Sequence, residues 1–317
     1  MPPQPTHPIP PSLPLTLIVA TTPVRVASTT TPLPTKQDPN ATDNATTRLG
    51  IGLKGTLPWP RIKADMSFFA RATSRAPAPG TTNAIIMGRK TYDSVPPHLR
   101  PLGKRISVVI TRDQSGAVRE GVLRELEARK GKMAAAAAKA AVEKKDQVQE
   151  QEKSTAETKD GGESTALGGS YQSTVPAAAP ITDAIVTPSL DAALAELDSV
   201  YGAEGRLGKI YVIGGAEIYG AALRMHAREG SADLQRRPVR VVMTNVVRKL
   251  EGKEGEAEAT GSFECDTFFP LDGMTPQNGW RSASAREVSE WVGEEVSGEW
   301  KREGEVEVQM VGFERVN

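Results

Sequence analysis

Asp65 is the residue of this chain whose type and setting point most clearly to chemistry. Helical periodicity places four largely apolar residues on one arc of the segment after Pro60: Ile62, Met66, Phe69 and Thr73. Asp65 lies near the edge of this arc, and a buried carboxylate is costly unless a partner pairs with it. An amino–imine edge of a ligand would donate two parallel hydrogen bonds to it, and burial would raise its pKa. Periodicity alone therefore marks Asp65 as a carboxylate on a helix stripe that ought to be buried, and such a group needs a partner.

Two glycine-containing turns predict a site for phosphate. Residues 88–91 (GRKT) join the end of an apolar run to a predicted helix, and Gly214 with Gly215 forms a second turn of this kind. Free N–H groups and the helix dipole favour an anion there, and Arg89 and Lys90 add positive charge. The spacing is not the GxGxxG fingerprint of a dinucleotide-binding Rossmann domain.

The elements that must position these groups alternate between strand and helix. Strand-like runs occupy residues 15–21, 83–88, 105–112, 184–187, 209–213 and 240–247. A helix capped by Ser189 should follow residue 187, with these residues inward: Leu190, Ala193, Leu194 and Leu197. We expect residues 263–272 and 303–316 to form a final antiparallel pair. The pattern predicts an α/β fold, with a mainly parallel central sheet, helices on both faces and a C-terminal antiparallel hairpin.

Low-complexity stretches interrupt this pattern. Residues 1–14 carry too many prolines for a helix or an inner strand, and we interpret them as a disordered arm. Residues 15–317 then form a single domain with insertions at about 22–47, 113–180 and 250–262. We expect the second insertion to be exposed, partly helical and partly disordered, because it lacks a sustained apolar face. The alternative is a helix that binds a partner.

Composition excludes several classes of function. The 317 residues include 39 Lys and Arg and 39 Asp and Glu, so no net field attracts nucleic acid or an anionic membrane. Cys265 is the single cysteine, which excludes an internal disulfide and a cysteine-based zinc site. No apolar run is long enough to span a membrane, and the histidines have no metal-ligand spacing. We expect a cytoplasmic protein without a bound metal.

Several segments, ordered along most of the chain, match one family. They are LIVA, GIGLKGTLPW (50–59), the helix with Asp65, IIMGRKTYDSVP, RPLGKRISVVITR, YVIGGAEIY and FECDTFFP. The match runs from Leu15 to the C-terminus, and only the insertions fall outside it. The chain therefore resembles the dihydrofolate reductase family, of eukaryotic, fungal type with surface-loop insertions.

The resemblance implies NADPH-dependent reduction of 7,8-dihydrofolate to 5,6,7,8-tetrahydrofolate, which supplies one-carbon metabolism. Hydride would pass from the nicotinamide to C6 of the substrate, and a proton would reach N5 by way of water. Asp65 would bind the pterin edge and promote protonation, with Thr244 bonded to its carboxylate and Trp59 beside the pterin. Arg105 would clamp the α-carboxylate of the glutamate tail.

The resemblance also implies the other binding residues. Substrate would contact Ile18, Val19, Met66, Phe69, Val95, Pro96, Leu102, Arg105, Ile213 and Tyr219. NADPH would contact Ala20, Ile51, Gly52, Gly88, Arg89, Lys90, Thr91, Thr111, Arg112, Gly214, Gly215, Ala216, Glu217 and Ile218. Residues 50–52 would form a mobile loop over the nicotinamide, Thr111 and Arg112 would receive the 2′-phosphate, and the Gly214–Gly215 peptide bond would be cis.

Two other functions stay open at this point. A reductase of the same fold acting on a riboflavin-pathway pyrimidine is one, although that substrate has no glutamate tail to meet Arg105. A catalytically silent scaffold, with the 113–180 insertion as its working part, is the other. We expect a stand-alone monomeric enzyme that needs neither nucleic acid nor a membrane, since no thymidylate synthase extension is visible.

Overall fold

The computed structural model describes residues 12–26, 46–156, 179–225, 237–249 and 260–316, with the backbone alone for 141–156 and 260. Its strands are β1 (Leu15–Val26), β2 (Thr46–Gly52), β3 (Thr82–Gly88), β4 (Ile106–Ile110), β5 (Asp183–Thr187), β6 (Leu207–Val212), β7 (Val239–Lys249), β8 (Thr260–Gly261), β9 (Thr267–Phe268), β10 (Trp280–Ala283), β11 (Lys301–Glu303) and β12 (Val306–Arg315). Its α-helices are α1 (Lys63–Ser74), α2 (Arg89–Ser94), α3 (Ala117–Ala156), α4 (Leu190–Leu197), α5 (Ala216–Arg224) and α6 (Ala285–Val292).

The central sheet has the strand order β10-β12-β7-β1-β6-β3-β4-β5. The strands from β7 to β5 in this order run parallel. β12 is antiparallel to β7, and β10 is antiparallel to β12. The predicted α/β fold, mainly parallel with antiparallel strands at its C-terminal edge, is confirmed.

Helices cover both faces of this sheet because its inner strands are apolar on both sides. Successive side chains of a strand point to opposite faces, so a buried run needs a cover above and below. Ile86 and Val108 pack with α4 and α5, whereas Ile85 and Val109 pack with α1, α2, α3 and α6. Each fully buried aliphatic side chain contributes about 1.5–3 kcal/mol relative to an exposed one.

The prediction for α4 is confirmed in detail. Ser189 lies at its N-cap, where its side chain accepts a hydrogen bond of 3.1 Å from the N–H of Ala192. The four residues predicted to point inward are the buried ones: Leu190, Ala193, Leu194 and Leu197. Capping and periodicity act within one helix, so the sequence was sufficient here.

The surface loop predicted for 22–47 is wrong at both ends. Residues 22–26 continue β1, and Thr46 and Thr47 begin β2, which pairs antiparallel with β1 from Thr22↔Gly50 to Val26↔Thr46. Threonine and valine favour a pleated strand once a partner strand is present, and that partner is not visible in the local sequence. The middle of this insertion, residues 27–45, lies outside the described residues.

Residues 50–52 lie in a strand and not in the predicted loop, while their predicted mobility stays a prediction. These residues lie in β2, where Gly50 pairs with both Thr22 and Phe268, and Gly52 pairs with Thr267. A Cβ atom on Gly50 would lie only 2.3 Å from Sγ of Cys265. Glycine is therefore required at position 50 by the close approach of a neighbouring segment.

The predicted pairing of 263–272 with 303–316 is wrong. β9 lies in the first of these segments and pairs with β2, whereas β12 pairs with β7, β10 and β11. A two-residue strand such as β9 is too short for its hydrophobic pattern to indicate which strand it pairs with.

The first turns of α3 are not exposed as predicted for the 113–180 insertion. Val122 and Leu126 are each 3% exposed and join the core cluster that contains Val109 and Tyr92. Tyr92 also donates a hydrogen bond of 2.7 Å to Glu125. The insertion therefore begins as a helix packed on the domain, and residues 157–178 lie outside the described residues.

The other low-complexity segments are described only in part. Of the N-terminal arm, residues 1–11 lie outside the described residues, while Leu13 packs against the core. Of the 250–262 insertion, residues 250–259 lie outside them, and β8 pairs with β7. None of the helices in the described ranges combines the length and apolar character needed to cross a membrane.

Candidate active site

A cleft of about 1900 Å³ opens where the parallel strands end. The carboxyl ends of β3, β4 and β6 contribute Gly88, Thr111 and Gly214, and α1 forms the opposite wall with Asp65 and Phe69. Ligands in open α/β sheets bind outside the carboxyl ends of the strands. A single small-molecule site occupies roughly 300–1,000 Å³, so this cleft has room for two ligands.

Asp65 lies at the wall of the cleft with a defined partner. It is 8% exposed, and Oγ1 of Thr244 on β7 donates a hydrogen bond of 2.8 Å to its Oδ1. Thr244 itself is 2% exposed and pairs with Ala20 of β1 in the sheet register. The β7–β1 pairing therefore fixes the hydroxyl group that orients the carboxyl group.

The surroundings of Asp65 favour its protonated form. Burial raises the pKa of Asp65, the bond from Thr244 opposes this rise, and the negative charge of Glu303 adds to it. Glu303 accepts hydrogen bonds from the N–H groups of Lys63 at 2.5 Å and Ala64 at 2.9 Å. It therefore caps the N-terminus of α1 and places a second carboxylate near Asp65.

The residues of the arc predicted for α1 do not all face the core, because two of them line the cleft instead. Ile62 and Thr73 are buried as predicted, whereas Met66 and Phe69 are partly exposed and line the cleft. Phe68, which the predicted arc missed, is 3% exposed and packs in the core. The side of α1 that carries Asp65 thus borders both the core and the cleft.

Trp59 and Tyr219 are held by defined contacts at one end of the cleft. Trp59 is 6% exposed and meets Phe263 edge to face at 6.1 Å between ring centroids. Tyr219 donates a hydrogen bond of 2.6 Å to the carbonyl of Ile18 on β1. Burial, together with the charge of Asp65, raises the pKa of Tyr219 above its usual range, so Tyr219 stays a hydrogen-bond donor.

Two helix starts face each other at the other end. α2 begins after Gly88 and α5 after Gly215, and the N–H of Gly88 donates 2.8 Å to the carbonyl of Gly214. A Cβ on Gly215 would lie 3.5 Å from Oγ1 of Thr91, so the two turns are in contact distance. The Gly214–Gly215 peptide bond is cis. These turns leave main-chain N–H groups accessible to a phosphate.

Arg112 has a charged neighbour in the cleft. Its guanidinium lies 3.2 Å from the carboxylate of Glu217, and both side chains are mostly exposed, at 86% and 78%. An exposed pair of this kind contributes about 0–1 kcal/mol, so an incoming phosphate can replace Glu217 at little cost.

The structure gathers most of the predicted site residues around this one cleft. Those that line it are Ile18, Val19, Ala20, Ile51, Gly52, Trp59, Asp65, Met66, Phe69, Gly88, Arg89, Lys90, Thr91, Thr111, Arg112, Ile213, Gly214, Gly215, Ala216, Glu217, Ile218 and Tyr219. Thr244 lies behind Asp65. Those outside the lining are Val95, Pro96, Leu102 and Arg105.

Arg105 is buried at the start of β4, where it joins α1 to the sheet. It is 7% exposed and donates hydrogen bonds of 2.8 Å to Oγ1 of Thr73 and to the carbonyls of Gly103 and Ala70. Burial, and secondarily the charge of Arg129, lowers its pKa to about 10. It remains cationic at neutral pH beside neutral acceptors.

Other lining residues were missed from the sequence. Ser189, Leu190 and Asp191 follow β5 and line the cleft, as do Asp266 and Thr267 near β9. The position of the first three was predictable, because β5 is parallel to β4 and its carboxyl end lies on the same edge. Asp266 and Thr267 are brought there by the β2–β9 pairing, which carries no local signal.

Within the described residues, no cluster of histidine, cysteine and carboxylate side chains has a geometry suited to a metal ion.

Comparison with known proteins identifies related chains. A family model described as dihydrofolate reductase matches residues 43–187. Dihydrofolate reductase of Pneumocystis carinii is 28% identical over 258 residues, covering 79% of this chain and 84% of that protein. The enzymes of Aedes albopictus and Saccharomyces cerevisiae are 50% and 48% identical over 66 and 64 residues, covering 21% and 20% of this chain. In these two alignments the chain spans about a third of the relatives' length, 35% and 30%.

A solved structure of Schistosoma mansoni dihydrofolate reductase aligns with 96% of this chain and 98% of its own, at 20% identity and a TM-score of 0.46.

Proposed function

We propose that this chain is a member of the dihydrofolate reductase family, whose model matches residues 43–187, and that it catalyses the NADPH-dependent reduction of 7,8-dihydrofolate to 5,6,7,8-tetrahydrofolate. This reaction supplies one-carbon units for thymidylate, purine and glycine synthesis. The observation that carries the proposal is the buried pair of Asp65 and Thr244 on the wall of a cleft with room for two ligands.

Asp65 binds the substrate and promotes its protonation. Thr244 holds Oδ1, so the carboxyl group meets the amino–imine edge of the pterin in one orientation. Its raised pKa lets it retain a proton closer to neutral pH than an exposed aspartate does. That proton reaches N5 of the substrate through water. Trp59 and Phe69 enclose the ring and restrict access of bulk water.

The other end of the cleft fits NADPH. The helix starts at Gly88 and Gly215 present N–H groups, and Arg89, Lys90 and Thr91 surround one of them with donors. Arg112 adds a cation at the end of β4, suited to the 2′-phosphate that distinguishes NADPH from NADH. When bound, NADPH supplies the hydride that reduces C6 of the substrate.

The test is to mix the purified protein with NADPH and dihydrofolate and follow the absorbance of the reduced nicotinamide. We expect a loss of absorbance that depends on dihydrofolate. No such loss would refute the proposal. A loss with a riboflavin-pathway pyrimidine instead would favour the related reductase, and inactivity with both would favour a scaffold.

The oligomeric state and the cellular compartment are also part of the proposal. We infer a cytoplasmic monomer that acts without nucleic acid, since the charges balance and the cleft is formed within one chain. Size-exclusion chromatography with light scattering tests the monomer, and cell fractionation tests the compartment. The fungal type stays a prediction, because insect relatives match as closely as the yeast one.

A further inference from the structure

Helix α1, which carries Asp65, begins without a cap of its own. Ile62 occupies the N-cap position, where its side chain accepts no hydrogen bond. The first N–H groups of a helix have no partner within the helix, and a Ser, Thr, Asp or Asn side chain at the N-cap usually provides one. The cap of α1 must therefore come from another part of the chain.

Glu303 on β11 provides this cap from a position 240 residues after Lys63. Its Oε1 accepts a hydrogen bond of 2.5 Å from the N–H of Lys63, and its Oε2 accepts one of 2.9 Å from the N–H of Ala64. Both carboxylate oxygens thus bond to the two N–H groups that directly precede Asp65. These bonds lower the pKa of Glu303, so its side chain stays ionised near neutral pH.

The hairpin of β11 and β12 connects Glu303 to the strand that carries Thr244. Glu303 pairs with Val306 across the hairpin. Further along β12, Met310 pairs with Thr244 of β7. Val306 is also buried, in one apolar cluster with Ile62 at the start of α1. The hydrogen bonds of the sheet therefore join Glu303 and Thr244 in one unit, against which α1 is packed.

This unit holds Asp65 at two points. Thr244 bonds to the side chain of Asp65, and Glu303 bonds to the main chain immediately before it. Among the described residues, the ionisable groups that interact electrostatically with Asp65 are Glu303 and Tyr219. Burial raises the pKa of Tyr219, so this group stays neutral. Glu303 does not line the cleft, and it therefore acts on a ligand only through Asp65.

We propose that Glu303 is a positioning residue for the reduction of the substrate, because it fixes the start of α1 and thereby the orientation of the Asp65 carboxyl group. The inference rests on the proposed function of Asp65. A negative charge beside Asp65 also favours its protonated form, so Glu303 extends the pH range in which Asp65 promotes protonation of the substrate. The C-terminal hairpin thus takes part in the reaction without touching the substrate.

The experiment compares the wild-type protein with Glu303→Gln, Glu303→Asp and the control Glu305→Gln. Glutamine keeps the shape of glutamate but removes the charge and one acceptor, whereas aspartate keeps the charge but is too short to bond to both N–H groups. Glu305 lies in the same hairpin, where its side chain is 75% exposed and lies 3.8 Å from Arg248. For each protein, the pH profile of kcat, the KM for dihydrofolate, the Kd for NADPH and the Tm are measured.

We expect Glu303→Gln to raise the KM for dihydrofolate about fivefold and to move the pH at which kcat is halved about half a unit lower. The profile moves to lower pH because the loss of a neighbouring negative charge lowers the pKa of Asp65. The Kd for NADPH should not change. Glu303→Asp should keep the wild-type pH profile and still raise KM, and Glu305→Gln should match the wild type in every measurement.

A Glu303→Gln variant that lowers only the Tm, with KM and the pH profile unchanged, would overturn the inference and leave the proposed function standing. The same changes in Glu305→Gln would also overturn it. If Glu303→Gln does not fold, Glu303→Asp decides, because an unchanged KM in that variant would contradict positioning through α1. A wild-type protein without dihydrofolate-dependent turnover would refute the proposed function itself.

Discussion

The two ends of the cleft are built to bind by different means. At the proposed substrate end, Asp65 and Thr244 are 8% and 2% exposed, and buried side chains form the site. At the cofactor end, glycine turns at two helix starts expose the main chain, and Arg112 is 86% exposed. A buried side chain that is lost is not replaced by solvent, whereas the effect of an exposed charge is screened by water and salt. The substrate end should therefore depend on side-chain identity, and the cofactor end on main-chain shape.

The largest effect is expected from Asp65→Asn. The amide cannot supply the proton, so kcat at neutral pH should fall by about 10²–10⁴-fold, while the Kd for NADPH changes little. Stopped-flow turnover and a fluorescence titration with NADPH measure the two quantities. Unchanged turnover would contradict the role of Asp65.

The same variant has a stability consequence with a defined sign. The pKa of Asp65 is raised in the folded state, so Asp65 favours folding at low pH and this contribution is lost as the pH rises through the folded-state pKa. At neutral pH, Asp65→Asn should therefore raise Tm, by roughly 2–4 °C per 1 kcal/mol gained. Calorimetry at pH 4 and pH 8 checks this, since the gain should shrink at the lower pH.

Gly214→Ala should weaken NADPH binding, because it disturbs the main-chain turn that precedes α5. Gly214 has φ of +114°, and a Cβ there would lie 3.3 Å from the ring of Tyr219. We expect a loss of about 1–3 kcal/mol in the free energy of unfolding and an increase of about tenfold in the Kd for NADPH. Gly205→Ala is the matched control, with φ of +64° and no neighbour within 4 Å. A Kd increase of the same size in the control would mean that general destabilisation, not the turn, is responsible.

Thr244→Val tests how far the substrate end depends on a positioning side chain. The hydrogen bond from Thr244 lowers the pKa of Asp65, so its loss should raise that pKa further. Activity that requires the protonated carboxyl group should then persist to higher pH, while maximal kcat falls about tenfold because the carboxyl group is no longer oriented. Thr244→Ser keeps the hydroxyl and should restore both the pH profile and the rate. If Thr244→Val kept the wild-type pH profile, the hydroxyl of Thr244 would not influence the pKa of Asp65.

The smallest effect is expected from Arg112→Gln. The Kd for NADPH should rise roughly threefold and the Kd for NADH should stay the same, because the side chain is exposed and screened by salt. Glu217→Gln is the counterpart: it frees Arg112, so NADPH should bind at least as tightly as in the wild type. If Arg112→Gln raised the Kd for NADPH and the Kd for NADH equally, Arg112 would not be the residue that contacts the 2′-phosphate.

Local features of the fold were predictable from the sequence, and non-local ones were not. The cap and inward face of α4 followed from Ser189 and from the spacing of apolar residues within one helix. The pairing of β2 with β1 and of β9 with β2 did not, because these short polar or mixed segments reveal nothing about their partners. The burial of Val122 and Leu126 was likewise missed, since two apolar residues at the start of a long charged helix do not form a sustained pattern.

For the site, the residue types were evident in the sequence and their partners were not. Periodicity alone marked Asp65 as a carboxylate next to an apolar face, and the glycine turns marked an anion site. The bond between Asp65 and Thr244 joins positions 179 residues apart, so it was predictable only through the resemblance to a family. Glu303, from the C-terminal strands, had no signal at all as the cap of α1.

Asp65 therefore shows which features the sequence determined and which the tertiary structure determined. The sequence determined that a helix would carry an acid beside its buried face, because helical periodicity and the cost of burying charge are local properties. The tertiary structure determined that the acid would be oriented by Thr244 and influenced by Glu303, because only the assembled sheet brings β7 and β11 to α1. Hydrogen bonds and charges act over a few ångströms in space, whatever the separation along the chain.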